Sequence, residues 1–168
     1  MKSRLAINGF GRIGRTVLRA YASRPEARAQ LTLAAINEIA DPDTVVHLAR
    51  FDSTHGRFPG RIALGDGCLD VDGERVALSG HPAVDACPWA EHNIDLVLEC
   101  TGAFTDRATA IGHIDAGARR MLFSQPAQPD VDATIVWGIN EGDLRPDQPI
   151  LSAGSCTTNA ISPVLSVI

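Results

Sequence analysis

The seven residues Asn8-Gly9-Phe10-Gly11-Arg12-Ile13-Gly14 restrict the fold more than any other stretch. A short apolar run, "RLAIN" (4–8), leads into the spacing Gly9-x-Gly11-x-x-Gly14. Residues 12–23 follow, with Ile13, Val17, Leu18 and Tyr21 near helical spacing. Strand, glycine turn and helix in that order give each glycine a physical task. Gly9 permits the tight turn, Gly11 puts no side chain between the backbone and an approaching pyrophosphate, and Gly14 lets helix and strand pack closely. The helix start then offers free N–H groups to phosphate oxygens.

An acidic residue, Glu38, ends the next strand-like run, "LTLAAIN" (31–37), 24 residues beyond Gly14. A carboxylate there accepts hydrogen bonds from ribose hydroxyls and repels a 2′-phosphate, so the expected cofactor is NAD rather than NADP. "LECTG" (98–102) closes a later strand with a small loop, placing Thr101 and Gly102 where strand ends line a ligand crevice. The plainer alternatives are a glycine turn of structural use only, a solvated loop carboxylate and an ordinary strand-to-helix turn.

Strand-length and helix-length patterns alternate along the chain. "DPDTVVHLAR" (41–50) opens with a cap residue and proline. "IDLVLEC" (94–100), "MLFS" (121–124), "ATIVWG" (133–138) and "PILS" (149–152) read as strands, and residues 106–117 as a helix. Between residues 60 and 80, the turn signals Gly65-Asp66-Gly67 and Asp72-Gly73 separate short strands, which predicts an antiparallel meander inserted into the alternation. The expected fold is therefore α/β, a doubly wound, mostly parallel sheet of the Rossmann type.

Composition narrows the function. The chain has 168 residues, 45% hydrophobic and 21% charged, with a net charge of −5 and no Lys/Arg block, which argues against nucleic-acid binding. No apolar run has the length of a membrane span and no signal-peptide pattern opens the chain, so it reads as cytoplasmic. Cys68, Cys87, Cys100 and Cys156 lack C-x-x-C spacing and read as free thiols without a metal. The histidines form no i, i+4 pair and read as structural or solvated.

Cys156 stands apart. It lies in "SCTTN" (155–159), between the last strand and a helix start, where N–H groups and the dipole stabilise a thiolate. The hydroxyls of Ser155 and Thr157 can hold a phosphate or a substrate oxygen. A thiolate beside a nicotinamide suggests aldehyde oxidation through a hemithioacetal and a thioester. The alternative is a small buried hydrophobe. Such chemistry needs a base, and no histidine follows Cys156.

Four segments in order, "INGFGRIGR" (7–15), "FDSTHGRF" (51–58), "CTG" (100–102) and "SCTTN" (155–159), resemble the phosphorylated-aldehyde dehydrogenases of the glyceraldehyde-3-phosphate dehydrogenase family. The resemblance spans essentially the whole chain. It implies that Asn8, Arg12 and Ile13 join the glycines at the NAD pyrophosphate. It implies further that Glu38 binds ribose, that Ser124 touches the cofactor from a strand end, and that Thr101 and Gly102 lie beside it. By the same resemblance Cys156 is the nucleophile, Ser155 and Thr157 contact substrate, and the intact enzyme is a cytoplasmic homotetramer. "AINEIAD" (35–41) and "LFSQPAQPDVDATIVWGIN" (122–140) look most like the branch acting on D-erythrose 4-phosphate.

Departures from the family pattern matter too. "SAGSCTTNA" (152–160) stands where the family usually reads "SNASCTTNC", which excludes a cysteine pair at this helix and predicts weaker ordering of the loop. An arginine common on the adenine side falls at Pro82. The family's catalytic histidine, phosphate-binding arginines and substrate domain would all follow residue 168. Residues 1–155 are then the NAD-binding domain and 156–168 the start of the catalytic helix, and the chain is expected to be inactive alone. Glyceraldehyde 3-phosphate as substrate, and a stand-alone dinucleotide-binding module, are the other readings.

Overall fold

The computed structural model describes residues 1–168. Strand β1 (Ser3–Asn8) runs into helix α1 (Arg12–Ser23), as the glycine turn requires. A short helix α2 (Pro25–Gln30) precedes β2 (Leu31–Asn37). Helix α3 (Pro42–Arg50) is capped by Asp41, whose carboxylate accepts from the N–H groups of Asp43 and Thr44. A small hairpin, β3 (Phe51–Asp52) and β4 (Gly56–Arg57), leads to the meander β5 (Ile62–Gly65), β6 (Cys68–Val71) and β7 (Glu74–Ser79). Then come β8 (Leu96–Glu99), α4 (Arg107–Asp115), β9 (Arg120–Phe123), β10 (Ala133–Thr134), β11 (Ile150–Ser152) and α5 (Cys156–Leu165).

Nine strands form one sheet in the order β10-β11-β9-β8-β1-β2-β7-β6-β5, and β3 and β4 pair apart from it. Pairing is parallel from β10 through to β7 and antiparallel across β6 and β5. The meander thus joins the sheet through β7, alongside β2. Chain order reverses beside β1, where the path moves from the β2 side to β8, so β1 marks the topological switch point. This is the doubly wound, Rossmann-type sheet with an antiparallel meander.

Alternation along the strands builds a core on each face. Leu5 and Ile7 of β1 pack with Leu18 and Tyr21 of α1 and Val45 of α3. Ala6 faces the other way, into a cluster with Trp89, Ala110 of α4 and Met121. In β2 the alternation slips once. Leu5 pairs Leu33 but Ala6 pairs Ala35, so Ala34 is an extra residue in the strand.

One expected strand is much shorter than its pattern. Residues 133–138 alternate well, yet only Ala133–Thr134 form strand. The Asn140 side chain donates to Thr134 O and accepts from Val136 N, and Gly138 takes φ +85°. These contacts fold the chain into a turn where periodicity alone predicts extension. Helix α2 and the β3–β4 hairpin had no reading in the sequence, being too short for a periodic signal. No helix is long and apolar enough to cross a membrane.

Candidate functional site

The glycine turn is shaped by contacts that leave no room for side chains. Gly9 has φ +85°, and its N–H donates to Asn37 O at 2.9 Å. A methyl group there would lie 2.6 Å from the Thr101 backbone nitrogen. A methyl at Gly14 would collide with Gly9 O, so Gly14 fixes how closely α1 meets β1. Gly11 differs, with nothing within 4 Å of the position a methyl would take. It is also the N-cap of α1 and carries no capping side chain, so the first-turn N–H groups have no side-chain acceptor. That combination suits a pyrophosphate, which supplies the missing acceptors.

A cleft of about 370 Å³ opens beside this turn, at the carboxyl ends of β1, β2 and β8. Of the expected cofactor residues, Asn8, Gly9, Gly11, Glu38 and Thr101 line it. Arg12 and Ile13 lie at the start of α1 with exposed side chains outside the cleft wall. Gly14 lies beneath the turn and Gly102 in the loop beyond Thr101 with φ +73°. Ser124 follows the end of β9, half-buried, and its hydroxyl donates to Gln125 Oε1.

Glu38 is held ready for use. Its carboxylate accepts from Phe10 N at 2.7 Å and from Ala40 N at 3.0 Å. Both bonds are to backbone, so the group is pinned across the mouth of the glycine turn with acceptor capacity left over. Replacing Glu38 by glutamine should weaken NAD binding about tenfold while narrowing the preference over NADP, as titration with both nucleotides would show.

Seven lining residues had no assigned role: Asn37, Ile39, His81, Pro82, Cys100, Ala103 and Phe104. Asn37 and Cys100 were within reach of sequence reasoning, because they adjoin the ends of β2 and β8 and strand ends line the crevice. His81, and Pro82 beside it, sit there because β7 pairs with β2, a neighbour relation no local pattern reveals. Burial pushes the Cys100 thiol up to about 11, with the neighbouring Ser124 hydroxyl opposing the rise and the Glu99 charge adding to it.

The second element of the site lies on the same edge of the sheet. β11 stands three strand spacings from β1, about 14 Å at ~4.8 Å per spacing. Helix α5 follows it directly. Cys156 is the first residue of α5 and is exposed, while the other three cysteines are buried. Ser155 is the N-cap and its hydroxyl accepts from Thr158 N at 2.9 Å, so part of its capacity is spent on the helix. Thr157 is exposed beside Cys156. The preceding loop is held by side-chain hydrogen bonds with Ala153 and Gly154 in place. Asn159 Nδ2 donates to Ala153 O and Ser155 O, and Gly154 adopts φ +69°. No histidine bonds the Cys156 sulfur, and His113 is fully buried against Trp89 and Glu99.

A glycine turn cleared for backbone approach, an uncapped helix start and a fixed carboxylate at the second strand fit an adenine dinucleotide. A family model described as "Glyceraldehyde 3-phosphate dehydrogenase, NAD binding domain" matches residues 3–107. The match runs from β1 to the first residue of α4 and takes in the whole cleft.

Proposed function

Because the chain belongs to the glyceraldehyde-3-phosphate dehydrogenase family and binds NAD, we propose that it serves in oxidising a phosphorylated aldehyde, D-erythrose 4-phosphate, to 4-phosphoerythronate, a product destined for pyridoxal phosphate synthesis. The observation that carries this reading is the exposed Cys156 at the start of α5, on the same sheet edge as the cleft. The glycine turn, Arg12, Ile13 and the start of α1 hold the pyrophosphate, and Glu38 holds a ribose. Thr101, Gly102 and Ser124 border the cofactor along the strand ends. When bound, NAD supplies the hydride acceptor.

Cys156 Sγ, as thiolate, adds to the aldehyde carbon to give a hemithioacetal. That carbon then gives up its hydrogen as hydride while the hydroxyl proton passes to a general base, leaving a thioester on Sγ. Water cleaves the thioester and returns the thiol with the carboxylic acid. Ser155 and Thr157 place the substrate oxygens. Residues 1–155 form the cofactor domain, and Cys156–Ile168 begin the catalytic part. The base and phosphate ligands belong to a substrate-binding part outside these residues, and the working assembly is a cytoplasmic homotetramer. The scattered free cysteines and the erythrose-phosphate-like segments 35–41 and 122–140 support this reading.

The test follows NADH absorbance with D-erythrose 4-phosphate and with glyceraldehyde 3-phosphate, each with and without inorganic phosphate. The 168-residue chain should bind NAD and turn over neither aldehyde. A form carrying the substrate-binding part should prefer erythrose 4-phosphate and need no phosphate. Faster, phosphate-dependent use of glyceraldehyde 3-phosphate would overturn the substrate assignment. Turnover by the 168-residue chain that disappears in Cys156→Ala would overturn the division of labour.

A further inference from the structure

The last residues of four adjacent strands form one polar row beneath the cleft. Glu99 ends β8, Asn8 ends β1, Asn37 ends β2 and Ser79 ends β7. The pairing register sets them side by side, Asn8 opposite Glu99, Asn8 opposite Asn37, and Asn37 opposite Ser79. Their side chains are joined. Asn8 Nδ2 donates to Glu99 Oε2 at 2.6 Å, Asn37 Nδ2 to Asn8 Oδ1 at 2.8 Å, and Ser79 Oγ to Asn37 Oδ1 at 3.0 Å. Beyond Glu99 the row continues into the second core. His113 Nε2 lies 3.1 Å from Glu99 Oε2, and Trp89 Nε1 donates to His113 Nδ1 at 2.9 Å.

The direction of every bond in this row is fixed from its two ends. An indole N–H can only donate, so His113 Nδ1 must accept and its proton must sit on Nε2, pointing at Glu99. At the other end, His81 N donates to Asn37 Oδ1 and His81 O accepts from Asn37 Nδ2, which sets the amide of Asn37. Asn37 in turn sets Asn8, whose remaining N–H group also points at Glu99. Thr101 adds its backbone N–H, at 2.8 Å, and its hydroxyl, both onto Glu99 Oε1. Donors thus converge on Glu99 from both sides, and only a group that purely accepts can occupy the meeting point. A carboxylate satisfies all of them, and an amide would set a donor against at least one.

We infer that Glu99, fully buried and touching no cation, is the positioning residue of the NAD cleft. It sets Thr101 in the cleft wall, Asn8 in its floor and, through Asn37, the His81 rim, with His113 and Trp89 bracing it from behind. The inference rests on NAD binding at the cleft. Most of these bonds run to residues that line the cleft, whereas Glu99, His113 and Trp89 do not line it themselves. The carboxyl is held below the usual carboxylate range, because burial, which opposes ionisation, is outweighed by the bonds from His113, Thr101 and Asn8.

The test compares NAD affinity by calorimetry with unfolding midpoints for Glu99→Gln, His113→Leu, Ser79→Ala and a core control, Val71→Ala, in the 168-residue chain. Glu99→Gln and His113→Leu should each weaken NAD binding about tenfold or more, while Val71→Ala loses stability and binds like the parent. In ¹⁵N spectra of the parent, the His113 ring should show its proton on Nε2. Affinities within about twofold of the parent in both network variants, or a proton on Nδ1, would overturn the inference. Should neither variant fold, Ser79→Ala decides, since the Ser79 hydroxyl bonds only Asn37 and the substitution leaves its backbone bond to Glu38 in place. About threefold weaker binding supports the row, and unchanged binding sinks it. A parent chain that fails to bind NAD would instead bring down the cofactor reading itself.

Discussion

Gly9→Ala should both destabilise the protein and abolish measurable NAD binding. The residue sits at φ +85°, and a methyl group would stand 2.6 Å from the Thr101 nitrogen and 2.7 Å from its Cα. Both are backbone atoms just beyond the end of the central strand β8, where hydrogen bonds to Glu99 hold Thr101, so neither can move aside cheaply. The left-handed conformation alone costs an alanine about 1–2 kcal/mol. Forcing two strand ends apart adds a comparable overpacking cost, for a total of about 3 kcal/mol or more. That is a large share of the roughly 5–15 kcal/mol typical of a whole domain. Gly11→Ala provides the contrast, since it has φ −69° and open space around it. Its stability should match the parent while NAD binding falls, because the methyl would project into the room left for the pyrophosphate. Denaturant midpoints and calorimetric titration of both variants check this. Gly9→Ala that folds and binds like the parent would remove the glycine turn from the site.

Cys156 supports an equally sharp expectation. Of four free cysteines it alone is exposed. Burial drives the Cys87 and Cys100 thiols up to about 12 and about 11, which further suppresses their thiolates. A thiol-reactive dye should therefore label one cysteine per native chain and all four after denaturation. Cys156→Ala should leave none reactive in the native state and leave NAD affinity and stability unchanged. In a form competent for turnover the same substitution should lower kcat by about a thousandfold or more, since no other thiol is accessible to form the thioester. Two rapidly labelled thiols in the native chain, or full turnover in Cys156→Ala, would contradict the assignment.

The sheet and the glycine-turn end of the candidate site were legible because their signals are local. Glycine spacing, helical periodicity after it and the acid after β2 lie within a few dozen residues of one another. The meander was legible from its turn residues, and the helix start at Cys156 from its small hydroxyl neighbours. Hidden from the sequence were relations set by strand order. His81 reaches the cleft only because β7 lies parallel to β2. His113 looks like an ordinary helical histidine until α4 packs it against Trp89 and Glu99. Glu99 itself, in "LECTG", reads as the polar end of a buried strand, and nothing local shows that donors from β1 and α4 meet on it. The strand expected over 133–138 failed for a related reason, because a side chain seven residues past its first residue captures its backbone.

The extra residue in β2 bears on where this chain can change length. Ala34 and Ala35 both pack on the α4 side of the sheet and share a single step of the β1 ladder. Losing one of these alanines would restore even alternation, and Asn37 would still arrive opposite Asn8. β1 has no such slack, since it carries no extra residue in its ladder with either β2 or β8. Losing Ile7 would draw Asn8 back by one step along both neighbours and turn it to the opposite face. Two strands side by side thus tolerate single-residue deletion very differently, and the strand that carries the glycine turn is the one that cannot be shortened.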